Sequence, residues 1–197
     1  AAAGRPGPAT ELPMQLDSAP WRGGQTYQNL WDAVNAAAVR WVWADGPRFD
    51  PRPVHFRRQN QGRGRRLAFE QEEKAGHYLY GLDGAGRVLF SRYHFENGEM
   101  LEQFHRHADH QLEIVAYALG ATLPVLESVA QIALADGRPQ SYSQYVMGET
   151  TNALTVEPLI CTYRELYAYA GARLAHIRVI QLNRSEEHTS ELQSPNT

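Results

Sequence analysis

The sequence predicts a mainly β domain of consecutive antiparallel hairpins, preceded by one amphipathic helix. Two observations lead to this prediction. Between residues 54 and 180, apolar and polar residues alternate, which is the period of a strand with one buried face. Short turn signals containing Gly, Asp and Ala interrupt the alternation repeatedly, as in hairpins that join neighbouring strands. We therefore expect a meander or a sheet of repeated hairpins.

Composition narrows the classes of protein to consider. The chain has 197 residues, a formal net charge of −3 and a single cysteine, Cys161. One cysteine excludes an internal disulfide, and its apolar neighbours predict a buried strand residue. A nearly neutral chain has no global attraction for nucleic acid. No run approaches the roughly 18 apolar residues of a membrane helix. We expect neither nucleic-acid binding nor membrane insertion.

The chain divides into three parts by composition. Residues 1–24 hold four of the eleven prolines and no periodic pattern, so we expect a linker or a disordered segment. Residues 25–183 are long enough for one domain with its own core. Residues 184–194 resemble the translated sequence of a short-read sequencing adapter. We therefore expect 184–197 to be an artefactual, disordered tail, and the domain to be truncated at its C-terminal end.

The segment from Gln25 to Trp43 has the spacing of an amphipathic helix. Its apolar residues, among them Tyr27, Trp31 and Val34, recur at intervals of three and four. Asp45–Pro47 supplies a stop signal. We expect the tryptophans to pack in the core, with a carbohydrate or partner surface as the alternative.

The rest of the domain is predicted to form hairpins that stack on one another. Counting from the turns, we expect Tyr80, Phe104, Ile132 and Tyr167 to share one buried interior, which leaves the intervening side chains in solvent. The four clear hairpins and a weaker fifth span 77–95 (turn 83–86), 103–120 (turn 108–110), 131–148 (turn 135–137), 165–180 (turn 170–172) and 54–72 (turn 61–64).

One hairpin resembles a known repeat. The stretch YLYGLDGAGRVLFSRYHFENG, residues 78–98, is similar to the YD repeat of bacterial RHS-type proteins, and the weaker resemblance extends over 54–183. The resemblance implies a sheet or shell in a secreted or surface-associated bacterial protein. It favours a non-catalytic scaffold or binding module with a protein or carbohydrate partner. The residues that carry it are Tyr78, Tyr80, Asp83, Gly86, Arg87 and Gly98.

A second resemblance points to a metal enzyme. The stretch from Gly98 to Gly120 is similar to the first metal-binding motif of cupins, with His105, His107 and Glu113 at ligand positions. It implies a cupin-like enzyme with one divalent transition metal, because two histidines one residue apart on a strand share a face. The second cupin motif is absent from the sequence. The hairpin pattern instead places both histidines in solvent, where histidine is an ordinary titrating residue.

The remaining motifs favour a protein that is not an enzyme. The run FRRQNQGRGRR, residues 56–66, holds five arginines and is predicted to be a solvated hairpin tip, with phosphate or RNA binding as the alternative. The sequence contains no recognisable Ser/His/Asp set and no phosphate-binding loop. We therefore predict no catalytic residue and no cofactor in the scaffold interpretation. An immunity or effector-linked protein remains a further alternative.

Overall fold

A computed structural model describes residues 14–68, 74–120, 123–147 and 158–182, together with the backbone of residues 187–193. The helical elements are a 3₁₀ turn at Ala19–Trp21, α1 at Gly24–Ala37 and α2 at His55–Arg58. The strands are β1 (Gln15–Leu16), β2 (Arg40–Ala44), β3 (Tyr78–Leu82), β4 (Val88–His94), β5 (Met100–His107), β6 (Gln111–Leu119), β7 (Val125–Ala135), β8 (Arg138–Met147), β9 (Leu159–Ala170), β10 (Arg173–Leu182) and β11 (Glu187–Gln193).

The described strands form one antiparallel sheet in meander order. Each strand from β2 to β11 pairs with its neighbour in sequence, while the short β1 pairs with β9. The four clear hairpins occur where the sequence predicts them, as β3–β4, β5–β6, β7–β8 and β9–β10. The β7–β8 turn has Asp136 and Gly137 at φ 50° and 72°, the two positive values that a tight two-residue hairpin requires. The mainly β prediction is confirmed.

The predicted helix is too long at its end. It stops at Ala37, and residues 40–44 form strand β2, in which Val42 pairs with Tyr80 of β3. Trp41, Val42 and Trp43 are aromatic or β-branched, so they suit a pleated surface, and pairing with β3 satisfies their backbone groups. The spacing of the apolar residues at the end of the predicted helix is compatible with a helix and with a strand.

The weak fifth hairpin at 54–72 is wrong over its described residues. They hold the single helical turn α2 and one isolated bridge between Arg66 and Ala44. Pro51 and Pro53 lack backbone donors, so the approach to this segment cannot pair as an internal strand. We call residues 45–66 the strap, because they cross one face of the sheet; residues 69–73 lie outside the described part.

Both predicted unstructured ends contain ordered backbone in the described residues. Trp21 is buried, and its carbonyl accepts a hydrogen bond of 2.5 Å from Tyr117 Oη. The burial of its indole ring stabilises a segment whose proline-rich composition predicts disorder. Residues 187–193 pair with β10 rather than lying free. Without them β10 would be an edge strand, and the unpaired N–H and C=O groups of an edge strand can form hydrogen bonds with an adjacent extended segment.

The sheet is covered on both faces. On the helix face, α1 and the 3₁₀ turn pack on a core that includes Phe104, Val115 and Tyr145. On the opposite strap face, residues 45–66 cross a second core that includes Ile132 and Tyr167.

Helix α1 is fastened to the helix face by a buried carboxylate. Glu102 accepts hydrogen bonds from Tyr27 Oη at 2.5 Å and Trp31 Nε1 at 3.1 Å, and it pairs with Arg92 at 2.7 Å. These donors compensate a charge that would otherwise be costly to bury. The predicted core role of the tryptophans is confirmed for Trp31, whose ring packs on Phe90 with centroids 4.5 Å apart, but not for Trp41, which is 38% exposed.

The predicted single interior is wrong, because Phe104 lies on the helix face and Tyr80 packs with Val42 in a cluster separate from that of Ile132 and Tyr167. Tyr80 pairs with Ser91, and Ser91 pairs with Gln103, so Gln103 shares the face of Tyr80 and Phe104 lies on the other face. The register shifts do not cause this error, because their extra residues lie on β4, β8 and β10, after the turns. Tyr80, Ile132 and Tyr167 each lie three residues before a predicted turn, whereas Phe104 lies four residues before its turn, so His105 is the equivalent residue of β5.

Candidate functional site

The strap is held to the sheet by an ion pair with a fully buried carboxylate. Arg58 of α2 forms two hydrogen bonds to Glu165 of β9, at 2.8 and 2.9 Å. Tyr167 Oη donates to the same carboxylate at 2.6 Å, and Tyr163 Oη donates to it as well. Burial alone would raise the pKa of Glu165, but these hydrogen bonds outweigh burial and hold the pKa below its ordinary value. Glu165 is therefore ionised and fully partnered.

The first half of the strap is fixed by ring contacts. Arg52 forms a bidentate pair with Asp50 and lies over the Tyr142 ring, 5.0 Å from its centroid. Phe49 packs on Tyr80 with ring centroids 4.8 Å apart. These contacts hold residues 49–52 above the middle strands of the sheet.

The strap closes on itself through a close backbone approach. Gly64 N donates to Pro47 O at 2.8 Å, and Arg48 Nη1 donates to Gly64 O at 2.9 Å. A Cβ atom on Gly64 would overlap the carbonyl of Gly46, so only glycine fits there without movement of the backbone. This closure brings Arg48 and Arg63 to the same side of the strap.

A cavity of about 280 Å³ lies between the strap and the sheet. Its strap side is formed by Arg48, Phe49, Asp50, Pro51 and Arg63. Its sheet side is formed by Gly86, Arg87, Val88, His105, His107 and Leu112. A smaller cavity of about 90 Å³ shares Phe49, Asp50, Pro51 and His105 with it, so His105 borders both.

His105 is enclosed beneath the strap. Its Nε2 atom is buried and has no hydrogen-bond partner among the described residues. Burial, reinforced by the neighbouring His107 ring, lowers the pKa of His105 to about 3, so the ring is neutral at physiological pH. The prediction that His105 and His107 lie in solvent is wrong, because the strap covers the face that the hairpin pattern assigned to solvent.

His107 is partnered. Its Nε2 lies 2.8 Å from Val88 O, so Nε2 carries a proton and donates, since a carbonyl only accepts. This contact joins the end of β5 to the start of β4 and forms one wall of the cavity.

The cavity has a residual positive charge. Asp50 is paired with Arg52, and Arg87 is paired with Asp83 at 2.7 Å. Among the described residues, no carboxylate pairs with Arg48 or Arg63. The residues that line the cavity therefore include two arginines without a described carboxylate partner, one histidine whose Nε2 has no described partner, and apolar side chains.

The three predicted metal ligands do not come together. His105 and His107 lie on the strap face, whereas Glu113 lies on the helix face, because it pairs in register with Arg106 and side chains alternate along β5. Glu113 accepts hydrogen bonds from Arg106 at 2.8 Å and from Trp21 Nε1 at 3.3 Å. Over the described part of the chain, no group of three or more His, Cys, Asp or Glu is arranged to hold a metal ion.

Two further predictions concern single features. Cys161 is buried in the helix-face core, as predicted, and burial raises the pKa of its thiol. The arginine run is not a solvated hairpin tip throughout, because the half-buried Arg58 pairs with the buried Glu165. No local signal distinguished Arg58 from its exposed neighbour Arg57, since its partner lies 107 residues away in the sequence.

The cavity is lined by arginine, aspartate, histidine and apolar side chains. Within the described ranges, no helix is long and apolar enough to cross a membrane.

The chain matches no protein-family model, no curated protein and no solved structure.

Proposed function

We propose that this chain is a non-catalytic β-scaffold that binds a small ligand in the cavity between the strap and the sheet. The observation that carries the proposal is the position of His105, which borders both cavities and whose buried Nε2 has no partner among the described residues. A buried polar atom without a hydrogen bond costs about 1–3 kcal/mol, and a ligand that reached this nitrogen would recover much of that cost.

The dimensions of the cavity support a small molecule. Its volume of about 280 Å³ is close to the lower end of the roughly 300–1,000 Å³ of small-molecule sites. The RHS-like resemblance supports the scaffold part of the proposal, and a secreted or surface location follows from it as part of the same proposal. The cavity favours a small ligand over the protein or carbohydrate partners that the repeat resemblance implies.

The proposal is tested by protein-observed NMR with a mixed library of small aromatic acids, alcohols, amines and sugars. We expect shift changes confined to the strap and to His105 and its neighbours on β5. The variant Val88→Trp fills the cavity and should abolish the changes. Val39→Trp is the matched control, because Val39 is 72% exposed and lies outside the cavity. Equal responses from both variants, with both spectra well dispersed, would contradict the proposal.

A further inference from the structure

We infer that the cavity beneath the strap selects a small monocarboxylate with an apolar body, which Arg48 and Arg63 bind through its charged end. This inference rests on the proposed function and adds the chemical class of the ligand. It is supported first by the positive charge of the cavity, where Arg48 and Arg63 have no described carboxylate partner. Arg48 is half-buried and Arg63 is exposed at the mouth of the cavity, and neither meets a described carboxylate, so an anion is the ligand that both can bind.

The walls of the cavity specify the rest of the ligand. Phe49 and Pro51 of the strap face Val88 and Leu112 of the sheet across the same cavity. An apolar ring or short chain between these side chains removes apolar surface from water, at roughly 25 cal/mol per Å². A small inorganic anion would leave these walls in contact with water. The ligand therefore needs an apolar body beside its charged group.

A single negative charge suits this site better than two. The apolar walls and the half-buried Arg48 make the cavity a poor substitute for water around a phosphate dianion. The cost of removing an ion from water rises with its charge, whereas a planar carboxylate already matches the two-pronged geometry of a guanidinium. A carboxylate is therefore favoured over a phosphate monoester of the same body.

The enclosed nitrogen of His105 adds a polar requirement. His105 borders the smaller cavity as well as the main one, whereas Arg48 and Arg63 do not border the smaller one. A hydroxyl or keto group on the body of the ligand, away from the carboxylate, can hydrogen-bond to this nitrogen. The best ligand is therefore a small acid with an uncharged polar group toward His105.

The experiment compares small ligands with a phenyl ring and different charge by isothermal titration calorimetry on the full chain. The probes are 3-phenylpropanoate, 3-phenylpropanol, 3-phenylpropylammonium and phenyl phosphate. We expect the carboxylate to bind about tenfold or more tightly than the alcohol, because it adds charge-assisted hydrogen bonds. Phenyl phosphate should bind more weakly than the carboxylate, and the ammonium should show no binding.

Single substitutions assign the selectivity to the two arginines. Arg48→Gln and Arg63→Gln should each weaken the carboxylate about tenfold and leave the alcohol unchanged. Arg66→Gln is the matched control, since Arg66 is exposed and does not line the cavity. Loss of carboxylate affinity in all three variants equally would overturn the assignment, because a general charge effect would then explain it.

The outcomes separate this inference from the proposed function. Equal affinity for the carboxylate and the alcohol, or preference for phenyl phosphate, overturns the inference while the cavity remains a binding site. Absence of binding by every probe, together with no response to the mixed library, overturns both. Binding that survives Val88→Trp also overturns both, because the ligand would then lie elsewhere.

Discussion

Removing the positive charge of Arg58 should detach the strap from the sheet. Arg58→Met keeps most of the aliphatic stem, so packing changes little. Glu165 is completely buried and accepts two hydrogen bonds from this guanidinium. The substitution therefore leaves a buried carboxylate with only the hydroxyls of Tyr163 and Tyr167 as donors.

The expected loss follows from the burial of the ion pair. Breaking one partner of a buried pair typically costs about 3–5 kcal/mol, because the remaining charge keeps its desolvation cost. An exposed pair would contribute only about 0–1 kcal/mol. The larger range applies because Arg58 is mostly covered and Glu165 is wholly covered. Such a loss is a large part of the roughly 5–15 kcal/mol of a typical domain.

The assay is urea unfolding at neutral pH, followed by circular dichroism. Arg57→Met is the matched control, because Arg57 is the adjacent arginine of the same helical turn and is exposed. It should change the free energy of unfolding by less than about 0.5 kcal/mol. If Arg58→Met were as mild as Arg57→Met, the strap would not be docked through this pair and the reasoning would be refuted.

The other predictions concern the closure of the strap and its acid stability. Gly64→Ala should destabilise the chain by about 1–3 kcal/mol through overlap with Gly46, whereas Gly62→Ala, which meets nothing, should be close to neutral in the same urea assay; equal effects would contradict the close approach. Glu165 should make the chain less stable in acid. Its folded-state pKa is below the ordinary 4.5, so its stabilisation is complete above 4.5 and is lost as the pH falls through the lower folded value. Glu165→Gln should be less stable than the original chain at neutral pH, and its free energy of unfolding should fall less steeply with pH below 4.5. An unchanged slope of the free energy against pH would argue against Glu165 as the source of the acid instability.

The hairpins could be predicted from the sequence because their signals are local. The Asp136–Gly137 pair determines its own turn through two positive φ angles, whatever the rest of the chain does. The turns at 83–86, 108–110 and 170–172 likewise lie between strands of alternating pattern. The buried position of Cys161 was predicted from its apolar neighbours for the same reason.

The covering of the strap face could not be predicted, because it depends on distant contacts. The sequence separates Arg58 from Glu165 by 107 residues, and five arginines close together suggested a solvated segment. The wrong faces of β5 come from a one-residue error in aligning Phe104 with Tyr80, Ile132 and Tyr167, because a shift of one residue moves every side chain of a strand to the other face. As a result, His105 was assigned to solvent and Phe104 to the wrong core.

The environment of His105 tests the central claim that the strap covers this face of the sheet. The measurement is an NMR pH titration of the imidazole resonances, with His105 assigned by its loss in His105→Gln. A covered ring stays neutral as the pH falls through 6.5, because burial lowers its pKa to about 3. A titration midpoint near 6.5, in a chain that is still folded, would place the ring in water and contradict the strap, its cavity and the function proposed for them.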